Sequence, residues 1–299
     1  MKTILKMQLL FTLAISVACG NGTALSTQNH SEHRIENGAI TLAARLDLPK
    51  GEGPFPAVVV VHGSGKRTRD EAQFITDHLL PLGIAVLRYD KRGVGDSGGA
   101  YYGIGPHNSE RMFELLASDA IACVNFLRTQ QKIDSARIGL IGASQAGWII
   151  PLAALRSAEV KFMVNLVGPV VSVGEEIFYS KLTGDDPGGP GELSEAEIDR
   201  RFKNYNGPHG YDPVPILQQV TVPGLWVLGG KDRSLPTAES IVRLEKIKRE
   251  HKKEFTVHLY ANGTHSLRDA TTGAQLPVFE EVVNGWILER VRGGTKTQQ

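Results

Sequence analysis

Cysteine is nearly absent from this chain: Cys19 and Cys123 are the only two in 299 residues. Because Cys19 lies in a leader-like N-terminal segment, no disulfide can form within the folded domain. Cys123 shares a stripe with Met112, Leu116, Ala120 and Leu127 at spacings of three and four, which makes it a core residue of a helix. A surplus of one charge is also missing. Lys plus Arg total 33 against 32 for Asp plus Glu, so no global field favours nucleic acid or an anionic surface. With no basic stripe and no nucleic-acid-binding motif, that class of partner is set aside. Internal repeats are absent, and so is metal-ligand spacing. Asp185 and Asp186 sit in "GDDPGGPGE" but match no oxygen-ligand loop, and the reading implies no metal and no organic cofactor.

What is present begins with a leader. Lys2 and Lys6 precede an apolar run of 11 residues, Met7 to Val17, and small residues follow at Ala18, Cys19 and Gly20. That is the layout of a secretory signal over residues 1–19, and the run is too short to span a bilayer. It implies export, to the periplasm, the exterior or a lipid anchor of a bacterium. Ser16-Val17-Ala18-Cys19 resembles a lipoprotein box with serine in place of the usual leucine, so a membrane tether through lipidated Cys19 stays open. Residues 20–36 read as a polar linker, and residues 37–293 as the folded domain.

Within that domain short apolar segments alternate with longer amphipathic ones. Ile40–Leu48, Ala57–Val61, Ile84–Tyr89, Arg137–Ile141, Lys161–Val167, Gly224–Leu228 and Phe255–Tyr260 read as strands. Helices are expected at Glu71–Leu80, from an N-cap at Ser109 to Thr129, after Ser144, at Thr237–His251 and at Pro277–Arg290. The alternation implies an α/β fold with a mostly parallel sheet joined by right-handed crossovers, its helices covering both faces. Between about residues 169 and 221 no strand is evident. A capping box at Ser194 and Glu197 opens a short helix through Phe202. An excursion at this point of a parallel sheet is read as a small cap over a ligand crevice.

The chemistry centres on "IGLIGASQAGWIIP", Ile138 to Pro151, where an apolar strand stops at glycine, presents Ser144 and restarts as a helix. In a strained strand–turn–helix elbow the neighbours of the nucleophile must be small, which Gly142, Ala143, Ala146 and Gly147 satisfy. Ala146 stands where glycine is usual and adds one methyl; Pro151 is expected to kink the helix. A serine needs a base, and the base needs an orienting acid. Of the nine histidines only His209, His251, His258 and His265 follow Ser144. His251 lies in a charged helix end, His258 inside a strand and His209 in the cap. His265, in the loop "ANGTHSL" after the last strand, is the base, and Asp232, in "LGGKDRSLP" one strand earlier, is the acid. Upstream, His62-Gly63-Ser64-Gly65 ends a buried strand. The backbone N–H groups of Ser64 and Gln145 are assigned to an oxyanion hole, and His62 to a structural hydrogen bond.

Together "HGSG", "RYDKRGVGDSGG", "GASQAGW", "LGGKDRSLP" and "NGTHS" resemble the α/β-hydrolase superfamily over roughly Ala57 to Leu288. The resemblance is closest to its bacterial esterase-like and serine aminopeptidase-like branch, near dienelactone hydrolases and prolyl oligopeptidase catalytic domains. It implies a sheet of about eight strands, with Ser144 as nucleophile, Asp232 as acid and His265 as base. Asp90, Arg92 and Asp96 are read as shaping the loop beside the site. The expected function is a serine hydrolase acting on small or medium carboxylic esters. The other readings are an aminopeptidase-like peptidase or amidase, for which Glu175, Glu176, Asp185 and Asp186 could supply an acidic cluster but read more naturally as surface, and a binding protein that kept the fold without catalysis.

Overall fold

The Ala57–Val61 run folds as expected of a strand with no solvent face: Ala57, Val59 and Val61 enter one core while Val58 and Val60 enter another. Each such valine contributes about 1.5–3 kcal/mol by leaving water. In the computed structural model, which describes residues 29–292, this is the third of eight strands. They are β1 (Asn29–Asn37), β2 (Ile40–Leu48), β3 (Phe55–Val61), β4 (Ala85–Tyr89), β5 (Ile133–Ala143), β6 (Met163–Leu166), β7 (Gly224–Gly229) and β8 (Phe255–Tyr260). The sheet order is β1-β2-β4-β3-β5-β6-β7-β8. Strands β3 to β8 are parallel, and β1 and β2 form an antiparallel margin.

The C-terminal ends of the six parallel strands therefore share one edge. Helices α2 (Ser109–Arg128), α3 (Ala146–Arg156) and α7 (Thr237–His251) contribute to the core on one face. Helices α1 (Gln73–Leu79) and α8 (Asn284–Val291) cover the other. Between β6 and β7 the chain forms α4 (Val173–Thr183), α5 (Glu195–Lys203) and α6 (Val214–Gln219). Ser194 caps α5 by accepting from the Glu197 N–H at 3.3 Å, but the Glu197 carboxylate turns to Arg200 and Arg201 instead of closing the box.

The structure corrects the linker. Residues 29–36, expected as part of a polar tether, form β1, which pairs with β2 along its whole length. Only Ile35 on that strand reaches the core. An edge strand tolerates such polarity because most of its side chains meet water, and the backbone ladder together with ion pairs such as Glu32–Arg45 at 2.6 Å holds it. The signal-like segment, Cys19 and residues 20–28 lie outside the described residues. Ser109 is the first residue of α2, not its cap. Its hydroxyl instead accepts from the Tyr211 N–H at 2.9 Å, tying α2 to the segment leading into α6. α3 runs through Pro151 as one helix.

Candidate active site

The elbow forms because glycine permits two close approaches. A methyl on Gly142 would meet the Val61 carbonyl oxygen at 2.3 Å, and one on Gly147 would meet the Gly168 backbone at 2.5 Å. The Ala146 methyl, fully buried, fills the room left by hydrogen at Gly142, 2.6 Å from where a Cβ there would sit. The close helix–strand contact that a second glycine usually serves is met one position later, at Gly147. Between them Ser144 is held at φ 56°, with its N–H bonded to the Leu166 carbonyl at 2.9 Å. A side chain at positive φ is strained, and such strain is characteristic of functional turns.

Three loops from three strand ends meet there. Ser144 follows β5, Asp232 follows β7 and His265 follows β8. His265 Nδ1 is 2.7 Å from Asp232 Oδ2, and its Nε2 is 3.0 Å from Ser144 Oγ. The Asp232 side chain has no solvent exposure, and its Oδ1 accepts from the N–H groups of Ser234 and Leu235 at 2.9 and 2.8 Å. Burial opposes protonation of His265. The hydrogen bond and charge of Asp232, joined by Glu176 and Asp185, outweigh it and hold the imidazole above its ordinary value.

Gly63 packs on the elbow, where an added Cβ would lie 3.6 Å from Ser144 Cβ. Ser64 accordingly lines a cavity of about 460 Å³ together with Ser144 and His265. Gln145 stands at the N-cap of α3. His62 points elsewhere: its Nε2 donates to the Tyr89 carbonyl at 2.5 Å, and burial lowers it to about 4, so it stays neutral. Asp90 binds the Arg69 side chain and the N–H groups of Arg69 and Asp96, while Arg92 pairs with Asp119 through two 2.7 Å bonds. These residues brace the loop. Trp148 is core, stacked on Phe113 and donating to the Val171 carbonyl at 2.8 Å.

Sequence reasoning does not single out Lys91, and it reads Glu176 only as one of four cap acidic residues. Lys91, only 1% exposed, donates from Nζ to the Gly63 carbonyl and to Gln145 Oε1, both at 2.7 Å, and lies 4.0 Å from the Tyr101 ring centroid. It thus ties the turn after β3 to the residue after Ser144. Burial, with Arg67 nearby, lowers its ammonium to about 7. Glu176, read from sequence as surface, lines the same cavity as Ser144 and His265. Burial pushes its carboxyl up to about 7. Its neighbour Glu175 turns away to Arg243 at 2.6 Å. Among the described residues no group of three or more His, Cys, Asp or Glu is placed to hold a metal ion.

The parallel sheet and the strand-end site define a member of the α/β-hydrolase superfamily. A family model described as serine aminopeptidase, S33, matches residues 52–184, and one described as BAAT / acyl-CoA thioester hydrolase C terminal matches residues 121–284. The second spans more than half of the chain, which belongs to that family. Esterase EstD of Thermotoga maritima is 28% identical over 231 residues, covering 69% of this chain and 53% of the esterase. The fold is similar to that of a Pyrococcus furiosus esterase, with a TM-score of 0.64 at 16% identity over 89% of this chain and 92% of the esterase. It is also similar to that of Pyrococcus horikoshii acylaminoacyl peptidase, with a TM-score of 0.63 at 17% identity over 92% of this chain and 44% of the peptidase.

Proposed function

We propose that the protein hydrolyses carboxylic esters or thioesters through an acyl-enzyme on Ser144. The observation that carries this reading is the unbroken Asp232–His265–Ser144 hydrogen-bonded chain ending at a strained serine. Ser144 Oγ attacks the carbonyl carbon as its proton passes to His265 Nε2. The oxyanion is met by the N–H groups of Ser64 and Gln145. His265 then protonates the leaving alcohol or thiol, and a water, deprotonated by His265 in turn, releases the acid. The test compares p-nitrophenyl esters, acyl thioesters and aminoacyl anilides on purified protein, alongside labelling by a fluorophosphonate. Ester or thioester turnover with Ser144-dependent labelling is expected. Absence of labelling in folded protein would favour the non-catalytic reading.

The peptidase reading has one observation in its favour: Glu176, in the cavity beside His265, is placed to meet a substrate amino group. Preference for aminoacyl anilides over esters, lost in Glu176→Gln, would establish it. On esters the same variant has a different signature. The Glu176 charge stabilises the imidazolium, and catalysis needs neutral His265. Removing that charge therefore lowers the His265 pKa, and the acidic limb of the kcat/KM profile moves to lower pH.

Lys91 carries a further expectation. If it fixes the spacing of the two oxyanion turns, Lys91→Met lowers kcat by about 10²-fold with KM nearly unchanged, because the misplaced N–H groups act mainly in the transition state. Equal losses in kcat and stability, with no kcat/KM split, would reduce Lys91 to a packing role.

A further inference from the structure

The cleft that holds Ser144 and Glu176 is the more polar of two cavities that share His265 among the described residues. The other, of about 700 Å³, also reaches His265 and lies between α1, the end of β6 and the segment from residue 266 to 280. The two share Phe74, Ala143, Val167 and His265 as a common wall. Their chemistry differs. Arg67, Glu71, Glu176 and Ser234 line the first, whereas Leu267, Leu276, Val278 and Phe279 dominate the second.

The apolar chamber shows signs of construction. Val167 and Leu267 hold φ values of 43° and 53°, and with Ser144 they are three of the four non-glycine residues at positive φ among the described residues. For a β-branched valine this is a true outlier, which the surrounding structure must over-determine. Hydrogen bonds pin both: Val167 N–H to the Val227 carbonyl at 2.8 Å and Leu267 N–H to that of Thr264 at 3.0 Å. On the far side a π-helical turn, Phe279–Val283, begins α8. Such turns are rare and frequent at functional sites. It sets the Phe279 ring edge-on to His78, 4.5 Å between centroids, and to Phe74 at 6.0 Å. Phe74, one of the residues lining the chamber, remains 50% exposed. The volume lies within the range of about 300–1,000 Å³ usual for small-molecule sites.

We propose that this chamber binds an uncharged hydrocarbon group of the substrate, while the polar remainder lies in the cleft lined by Arg67 and Glu176. The substrate class is then an amphiphilic ester or thioester whose scissile carbonyl sits at the shared wall. The proposal builds on the reading of Ser144 as nucleophile for the position of that carbonyl.

Two ester series test it, octanoyl against acetyl esters of one alcohol and octyl against ethyl esters of acetic acid. One of the two long-chain members should exceed its short counterpart at least tenfold in kcat/KM, and the series that does so tells whether the group is acyl or alcohol. Leu276→Trp, which fills the chamber, and Phe74→Asp, which puts a charge at a half-exposed position of its lining, should each cut that ratio at least tenfold. Binding to Ser144→Ala protein provides a readout free of catalysis. Octanoate or octanol should raise its Tm where acetate and ethanol do not, and the chamber variants should lose the rise. No long-chain preference in either series, or a preference that both variants leave unchanged, overturns the proposal. Failure of the wild type to turn over any ester counts against Ser144 as nucleophile, and the Tm shifts then decide the chamber by themselves.

Discussion

Alanine at position 144 lowers kcat on p-nitrophenyl esters by about 10³-fold or more and abolishes fluorophosphonate labelling, with KM little changed. Removing Oγ deletes the attacking atom but leaves the two cavities and the His265–Asp232 pair intact. Residual turnover is then limited to what binding and the backbone donors provide to water. Stability separates a second variant from the first. At φ 56° any Cβ is strained, and alanine keeps that strain while glycine does not. Ser144→Gly is therefore expected to be as inactive as Ser144→Ala but more stable by about 1 kcal/mol, measured by denaturant unfolding. Retained ester turnover in either variant would move the nucleophile elsewhere. Equal stability of the two would mean that the surrounding structure relaxes the turn.

Whether a residue was legible from sequence depended on whether local pattern or tertiary convergence places it. Ser144, Asp232 and His265 each follow a strand of a parallel sheet, so chain order and strand ends are enough to place them at one edge, where they lie within hydrogen-bond distance. The β1 strand was missed because its side chains are nearly all polar, and periodicity cannot register a strand whose only buried contribution is Ile35. Lys91 sits among Asp90, Arg92 and Asp96, whose loop-bracing role was readable. Its link to Gln145, 54 positions away, exists only because β4 and β5 flank β3. That neighbourhood was a usable signal, since Lys91 lies just beyond a parallel-strand end. Glu175 and Glu176 are adjacent and chemically identical, and only the rotation of α4 sends one to Arg243 and the other into the cleft.

The chamber has the same origin. Ala143, His265 and Ser266 come from motifs, but its other walls come from α1, the end of β6 and residues 267–280, none of which carries one. The strain at Val167 and Leu267 has no sequence signature either, because neither glycine nor asparagine marks the position. Motifs thus point to the proposed reacting groups, while the proposed specificity rests on surfaces that exist only once the sheet has brought distant segments together. On this reading the two levels should separate by mutation: changes at Leu276 are expected to alter which ester is preferred, and changes at Asp232 whether any ester reacts.

Asp232→Asn is expected to lower kcat by about 10⁴-fold, the scale seen when the triad acid of a serine protease is made an amide. The local hydrogen bonds dictate why. Asp232 Oδ1 accepts from two backbone donors, Ser234 N–H and Leu235 N–H, so the amide oxygen of asparagine must stay there. The amide NH₂ then faces His265 Nδ1, 2.7 Å away in the parent, and can only donate. Nδ1 becomes an acceptor and the imidazole proton shifts to Nε2, where it points at Ser144 Oγ. In that tautomer His265 cannot take the serine proton. The substitution also removes the charge that raises the His265 pKa, so the small remaining activity should persist to lower pH than in the parent. Nitrogen NMR of His265 reads the tautomer directly. An unchanged Nδ1–H signal together with a 10⁴-fold loss would reject this account and leave charge stabilisation of the imidazolium as the main role of Asp232.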